Sequence, residues 1–85
     1  MNETPAQINA ALFVKQLATR GRLVEKLKFE EWTGIHGHRM MAVSIGCPND
    51  PARPHFLFGF RTEVDTIEDL RAAVLAEIEK EKQKL

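Results

Sequence analysis

Phenylalanine at positions 56, 58 and 60 constrains this chain more than any other feature. Within Arg53-Pro54-His55-Phe56-Leu57-Phe58-Gly59-Phe60-Arg61-Thr62 the three rings fall on alternate residues. That is the period of a β-strand, so all three project from one face of a sheet. Burying three such rings contributes about 5–9 kcal/mol before conformational entropy is subtracted. The ladder is therefore expected to face a core that the rest of the chain covers. His55, Leu57, Gly59 and Arg61 form the other side of the same strand and look away from that core.

The flanking segments supply the cover. Thr4-Pro5-Ala6-Gln7 is a helix start: Thr4 caps, proline suits the first helical position and Gln7 completes a capping box. Ile8, Ala11, Leu12, Phe13, Leu17 and Ala18 recur at helical spacing, and Gly21 is a stop, which predicts a helix over 5–19. Residues 22–33 fit two patterns. Leu23, Val24 and Leu27 suit a helix; Leu27 and Phe29, alternating with Lys28 and Glu30, suit a strand, and Phe29, Trp32 and Thr33 favour the strand. Gly34-Ile35-His36-Gly37 marks a hairpin turn. Residues 38–47 read as a second strand. Its bulkier face is Met41, Val43, Ile45 and Cys47, expected in the core; Met40, Ala42, Ser44 and Gly46 form the other, expected to be half-exposed. Residues 48–54 hold three prolines and are expected to form a loop. Thr66 caps a last helix, with Glu68 and Asp69 at its positive end and Ile67, Leu70, Ala73, Val74 and Ile78 as its apolar stripe. The polar tail, residues 80–85, is expected to fray.

The predicted order is helix, three meandering strands, helix: one α+β domain over residues 1–85. Its antiparallel sheet carries both helices on one face and leaves the other open. At 85 residues the chain is close to the smallest size that folds alone on a single core, and chains of this size often gain stability by self-association.

Composition bounds the function classes. A single cysteine, Cys47, leaves no disulfide framework and suits a reducing cytoplasm. No apolar run approaches a membrane span, and the first residues lack the pattern of a secretory leader. The formal net charge is zero, divided as +3 over residues 1–62 (eight Lys/Arg, five Asp/Glu) and −3 over residues 63–85 (four against seven). A neutral whole argues against tight non-specific nucleic-acid binding.

No motif specifies a chemistry, and the expectation is that the protein is not an enzyme and carries no cofactor. Gly21, Gly34, Gly37, Gly46 and Gly59 stand singly, so no glycine loop cradles phosphate. Cys47 has no activating base nearby in sequence. His36, His38, His55 and Cys47 are ligand types for zinc, but their spacing matches no compact metal motif, so a metal-binding protein is the third reading. The element order resembles that of double-stranded-RNA-binding domains, in topology only. That resemblance implies a lysine cluster at the start of the last helix. The matching segment here, Thr66-Ile67-Glu68-Asp69-Leu70-Arg71, is acidic. The second reading is thus nucleic-acid binding by a different basic surface, made of Arg20, Arg22, Lys26, Lys28 and Arg39. The leading expectation is a small cytoplasmic adaptor, regulator or inhibitor. It would meet a protein partner, or a second copy, through the open sheet face or an edge strand, using Trp32, Met40, Leu57 and Arg61.

Overall fold

A computed structural model describes residues 3–21, 26–47 and 50–84, leaving aside the side chains of Cys47, Pro51, Ala52, Pro54 and His55. Among the described residues the order is α1 (Pro5–Thr19), β1 (Leu27–Thr33), β2 (Arg39–Cys47), β3 (Asp50–Arg61) and α2 (Ile67–Gln83). The strands form one antiparallel sheet in the order β1-β2-β3. The two helices pack against each other, with α1 also against β3 and α2 against β1. This is the expected α+β meander with its helices on one face.

Local chemistry explains the element ends. Thr4 and Thr66 each form a full capping box: Thr4 with Gln7, Thr66 with Asp69. α1 stops at Gly21, whose φ of +67° is easily reached by glycine alone, and Gly37 closes the β1–β2 turn at φ +78°. The strand reading of the ambiguous stretch holds over Leu27–Thr33; residues 22–25 lie outside the described part. α2 stays helical through Gln83, with Lys80 pairing to Glu77 at 3.3 Å and Lys84 to Glu81 at 3.2 Å.

The phenylalanine ladder turns inward. Phe60 is buried, and Phe56 and Phe58 pack against the core from the sheet edge. Phe13 of α1 stacks on Phe56 at 5.5 Å between centroids and meets Phe58 edge-on at 5.8 Å, the two arrangements aromatic rings prefer. Met41, Val43 and Ile45 of β2 lie fully buried beneath Leu70, Val74 and Ile78 of α2 and the inner face of α1.

Three expectations need correction. The stretch expected as a loop belongs in part to a strand, because β3 begins at Asp50 and runs through Pro51 and Pro54. β3 is an edge strand with register shifts opposite Ile45, Gly46 and Cys47, and edges and bulges are where a sheet accepts proline. On α1, Ile8 and Leu12 face solvent, and the buried stripe is Ala6, Ala10, Phe13, Val14 and Leu17. The alanines let α1 approach its neighbours closely where isoleucine and leucine would hold it off. On the outer side of β2, Ala42 and Ser44 are buried, not half-exposed; only Met40 and Gly46 are half-covered. They sit on the central strand, where longer side chains from both neighbours close over them.

A polar tie holds the start of α1 to the end of β3. Asp65 Oδ2 accepts from the Ala6 amide at 3.0 Å and from the Thr62 hydroxyl at 2.7 Å, and the Asp65 amide donates back to Thr62 Oγ1 at 3.2 Å. Thr62 and Asp65 are both buried. The first turn of α1 carries no acidic residue of its own, so this carboxylate answers its positive end.

Candidate functional site

The register places Trp32 opposite Met40 and Met40 opposite Arg61. One row later come Glu30, Ala42 and Gly59; then Lys28, Ser44 and Leu57. Leu27, Phe29, Val43, Met41 and the phenylalanine ladder point to the helices. Alternation therefore puts Trp32, Met40, Leu57 and Arg61 together on the uncovered face. All four residues expected to form an interaction surface meet there.

The surroundings of Gly59 show which side chains meet on that face. A Cβ at position 59 would lie 3.6 Å from Leu57 Cδ2, 3.7 Å from the far edge of the Trp32 ring and 3.9 Å from Ala42 Cβ. The indole thus reaches diagonally from β1 across β2 to the glycine on β3, roofing Ala42. The ring rests on small residues with its outer side in water: Trp32 remains 43% exposed and Leu57 46%. The result is a shallow apolar patch that reaches across all three strands.

The charges around the patch are internally paired. Lys28 Nζ lies 3.1 Å from Glu30 Oε1, and Arg61 Nε lies 3.5 Å from Glu63 Oε1, which is also 3.8 Å from His38 Nδ1. These pairs are exposed and contribute little to stability, but they leave the patch without a strong field of either sign.

The described residues of the basic surface lie on different parts of the fold. Arg20, at the end of α1, sits over the Phe56 ring at 4.8 Å on the helix side of β3. Arg39 lies at the opposite end of the sheet, its Nε 3.6 Å from Glu31 Oε1. Lys28 is on the open face of β1, Lys26 is exposed just ahead of that strand, and Arg22 lies outside the described residues. The His36 and His38 rings are 6.2 Å apart, while the side chains of His55 and Cys47 are outside the described part. Among the described residues no group of three or more His, Cys, Asp or Glu is placed to hold a metal ion.

A groove of about 480 Å³ opens between the start of α1 and α2, walled by Thr4, Gln7, Asp65, Ala72, Ala76 and Glu77. Among the described residues no histidine, cysteine or serine lines it. Among the described residues no helix is long and apolar enough to cross a membrane.

Two parts of this surface were not visible in the sequence. The glycine under the indole requires knowing that residues 32 and 59 come within reach across an intervening strand. The Glu63 bridge to His38 and Arg61 requires the hairpin end and the last turn to meet. A glycine inside a strongly patterned strand can signal a close approach by another group, but here a Cβ would meet only ordinary contacts.

No family model matches the chain, and no curated protein or solved structure is significantly similar to it.

Proposed function

We propose that the protein is a small, non-enzymatic protein-interaction module, acting as an adaptor, regulator or inhibitor in the cytoplasm. Its partner docks on the open sheet face around Trp32, Met40, Leu57 and Arg61. One observation carries this reading: a half-exposed tryptophan, opposite Met40 in the register, brings the far edge of its ring to Gly59 beside Leu57, on the face away from the helices. Tryptophan, methionine and arginine are enriched at the centres of protein interfaces, and a rigid indole on a firm floor loses little entropy on contact. The paired charges at the rim fit a partner surface that is itself apolar and weakly charged. The lone cysteine suits a reducing compartment.

The test compares the wild type with Trp32→Ala and Leu57→Ala as bait in the lysate of the native host. Each variant is checked first for a cooperative unfolding transition. Loss of Trp32 is expected to weaken the captured complex by about 30-fold, the effect of a 2 kcal/mol hot spot. A partner held equally well by all three proteins would refute the face assignment, as would unfolding of either variant. A titration with duplex and single-stranded oligonucleotides at two salt concentrations runs beside it. Binding that weakens steeply with salt would replace this reading with nucleic-acid recognition.

A further inference from the structure

β3 is an edge strand, and its backbone direction can be worked out. The Thr62 amide donates to the Arg39 carbonyl at 3.0 Å, continuing the register in which Met40 faces Arg61. In an antiparallel ladder such pairs alternate. Phe56, Phe58 and Phe60 therefore direct their amides and carbonyls toward β2, while Leu57, Gly59 and Arg61 direct theirs outward, past the edge of the sheet. From Phe56 to Phe60 this edge carries no charge and no proline, two of the devices that protect an edge strand; Pro54 and Arg61 bound the run. The other edge, β1, does carry charge, with Lys28, Glu30 and Glu31 in seven residues.

We propose that β3 pairs antiparallel with β3 of a second copy of this chain, about a two-fold axis at Gly59. In this register Leu57 exchanges backbone bonds with Arg61 of the second copy, Gly59 with its own counterpart, and Arg61 with Leu57. Every outward group from 57 to 61 is then used. The same register sets Phe58 beside Phe60 of the other copy in the closely spaced, non-hydrogen-bonded sites, where aromatic cross-strand pairs stabilise a sheet.

Three further observations fit a second copy in particular. Phe56 and Phe58 are only half-buried although they face the helix layer, because that layer ends above them; a paired β3 extends it. Leu12, Gln16 and Arg20 follow at intervals of four along α1, and Arg20 sits over Phe56, so this row lies on the β3 flank. There Leu12 is 50% exposed, in position to meet the same helix of the other copy. The chain has a formal net charge of zero, so two copies approach without mutual repulsion. The pairing joins two open faces into one six-stranded surface with both Trp32 rings near its middle, but it does not depend on the open-face reading.

The test is sedimentation of the full chain up to about 1 mM, with amide exchange read residue by residue at both ends of the range. The expected mass rises from 9.7 kDa toward twice that value. The Leu57, Gly59 and Arg61 amides are expected to become protected together as it rises, joining Phe58 and Phe60, which β2 already protects. Gly59→Pro removes the central outward donor at a site where a Cβ meets only ordinary contacts, and it is expected to hold the mass at 9.7 kDa with the fold intact. A wild type that stays monomeric overturns the proposal. So does a dimer whose outward amides still exchange freely, or one that persists in a folded Gly59→Pro. If that variant does not fold, the wild-type amide pattern decides. A change in Trp32→Ala capture without a change in these amides bears on the open face alone.

Discussion

Replacing Asp65 with alanine tests how this small domain is held together. The side chain is 3% exposed, and one oxygen, Oδ2, accepts from both the Ala6 amide and the Thr62 hydroxyl. Hydrogen bonds to a charged group contribute about 1.5–3 kcal/mol each, and stranding a buried donor costs about 1–3 kcal/mol. The Ala6 amide is the group stranded, since its residue is buried at the first turn of α1. The helix also loses the only carboxylate at its positive end that the tie supplies, about 0.3–1 kcal/mol. Water entering from the adjacent groove offsets part of the loss, because Asp65 lines that groove. The expected cost is about 3 kcal/mol, or a fall in Tm of about 12–24 °C for a domain of this size. Asp65→Asn keeps a carbonyl where Oδ2 stands and loses only the charge, so it is expected to cost about 1 kcal/mol. Urea unfolding followed by circular dichroism and by Trp32 fluorescence measures both, with an unchanged m-value as the check that the transition remains two-state. A cost below about 0.5 kcal/mol for alanine would refute the role of the tie. Equal costs for the two variants would show that charge, not hydrogen bonding, does the holding.

The remaining predictions concern the core and the turn. Phe13→Ala removes the ring that stacks on Phe56 and meets Phe58, and it is expected to cost about 3–5 kcal/mol. Set against a total of about 4–13 kcal/mol for 85 residues, thermal melts of this variant are expected to start near room temperature, and a loss under about 1 kcal/mol would place the core elsewhere. Gly37→Ala forces a side chain into φ +78° and is expected to cost about 1 kcal/mol by chemical denaturation, although a Cβ there meets nothing within 4 Å. A neutral result would mean the turn adopts another conformation.

The parts of the fold that are legible in the sequence are those decided by neighbours along the chain. The capping box at Thr4 and the cap at Thr66 join residues three apart, and the phenylalanine ladder needs only a period of two, so these stand as expected; that Asp69 completes a second box at Thr66 was not read. The face of α1 is not decided locally. Hydropathy ranks Ile8 and Leu12 above Ala6 and Ala10, but the interhelical distance selects the alanines. Proline was read as excluding a sheet, yet its tolerance depends on whether β3 lies at an edge, which is a property of strand order. Ala42 and Ser44 read as half-exposed because their cover comes from other strands. Trp32, Met40, Leu57 and Arg61 share a face as alternation predicts, whereas the basic residues were joined by sign alone, and of them Arg20 lies over Phe56 on the helix side and Arg39 beside Glu31.

The tie between Ala6 and Asp65 joins residues 59 apart in sequence. Translation delivers α1 before the sheet, and its cap lets it coil at once, yet much of the surface it rests on is made late: Phe56, Phe58, Asp65 and then α2. The β1–β2 hairpin has no such dependence, since both of its strands emerge together. Helix α1 must therefore wait, its alanine and phenylalanine stripe incompletely covered, until β3 and α2 have left the ribosome. Such long-range closure is what slows folding in small domains. A truncation ending before Asp65 is expected to leave that stripe open to chaperones or to other nascent chains.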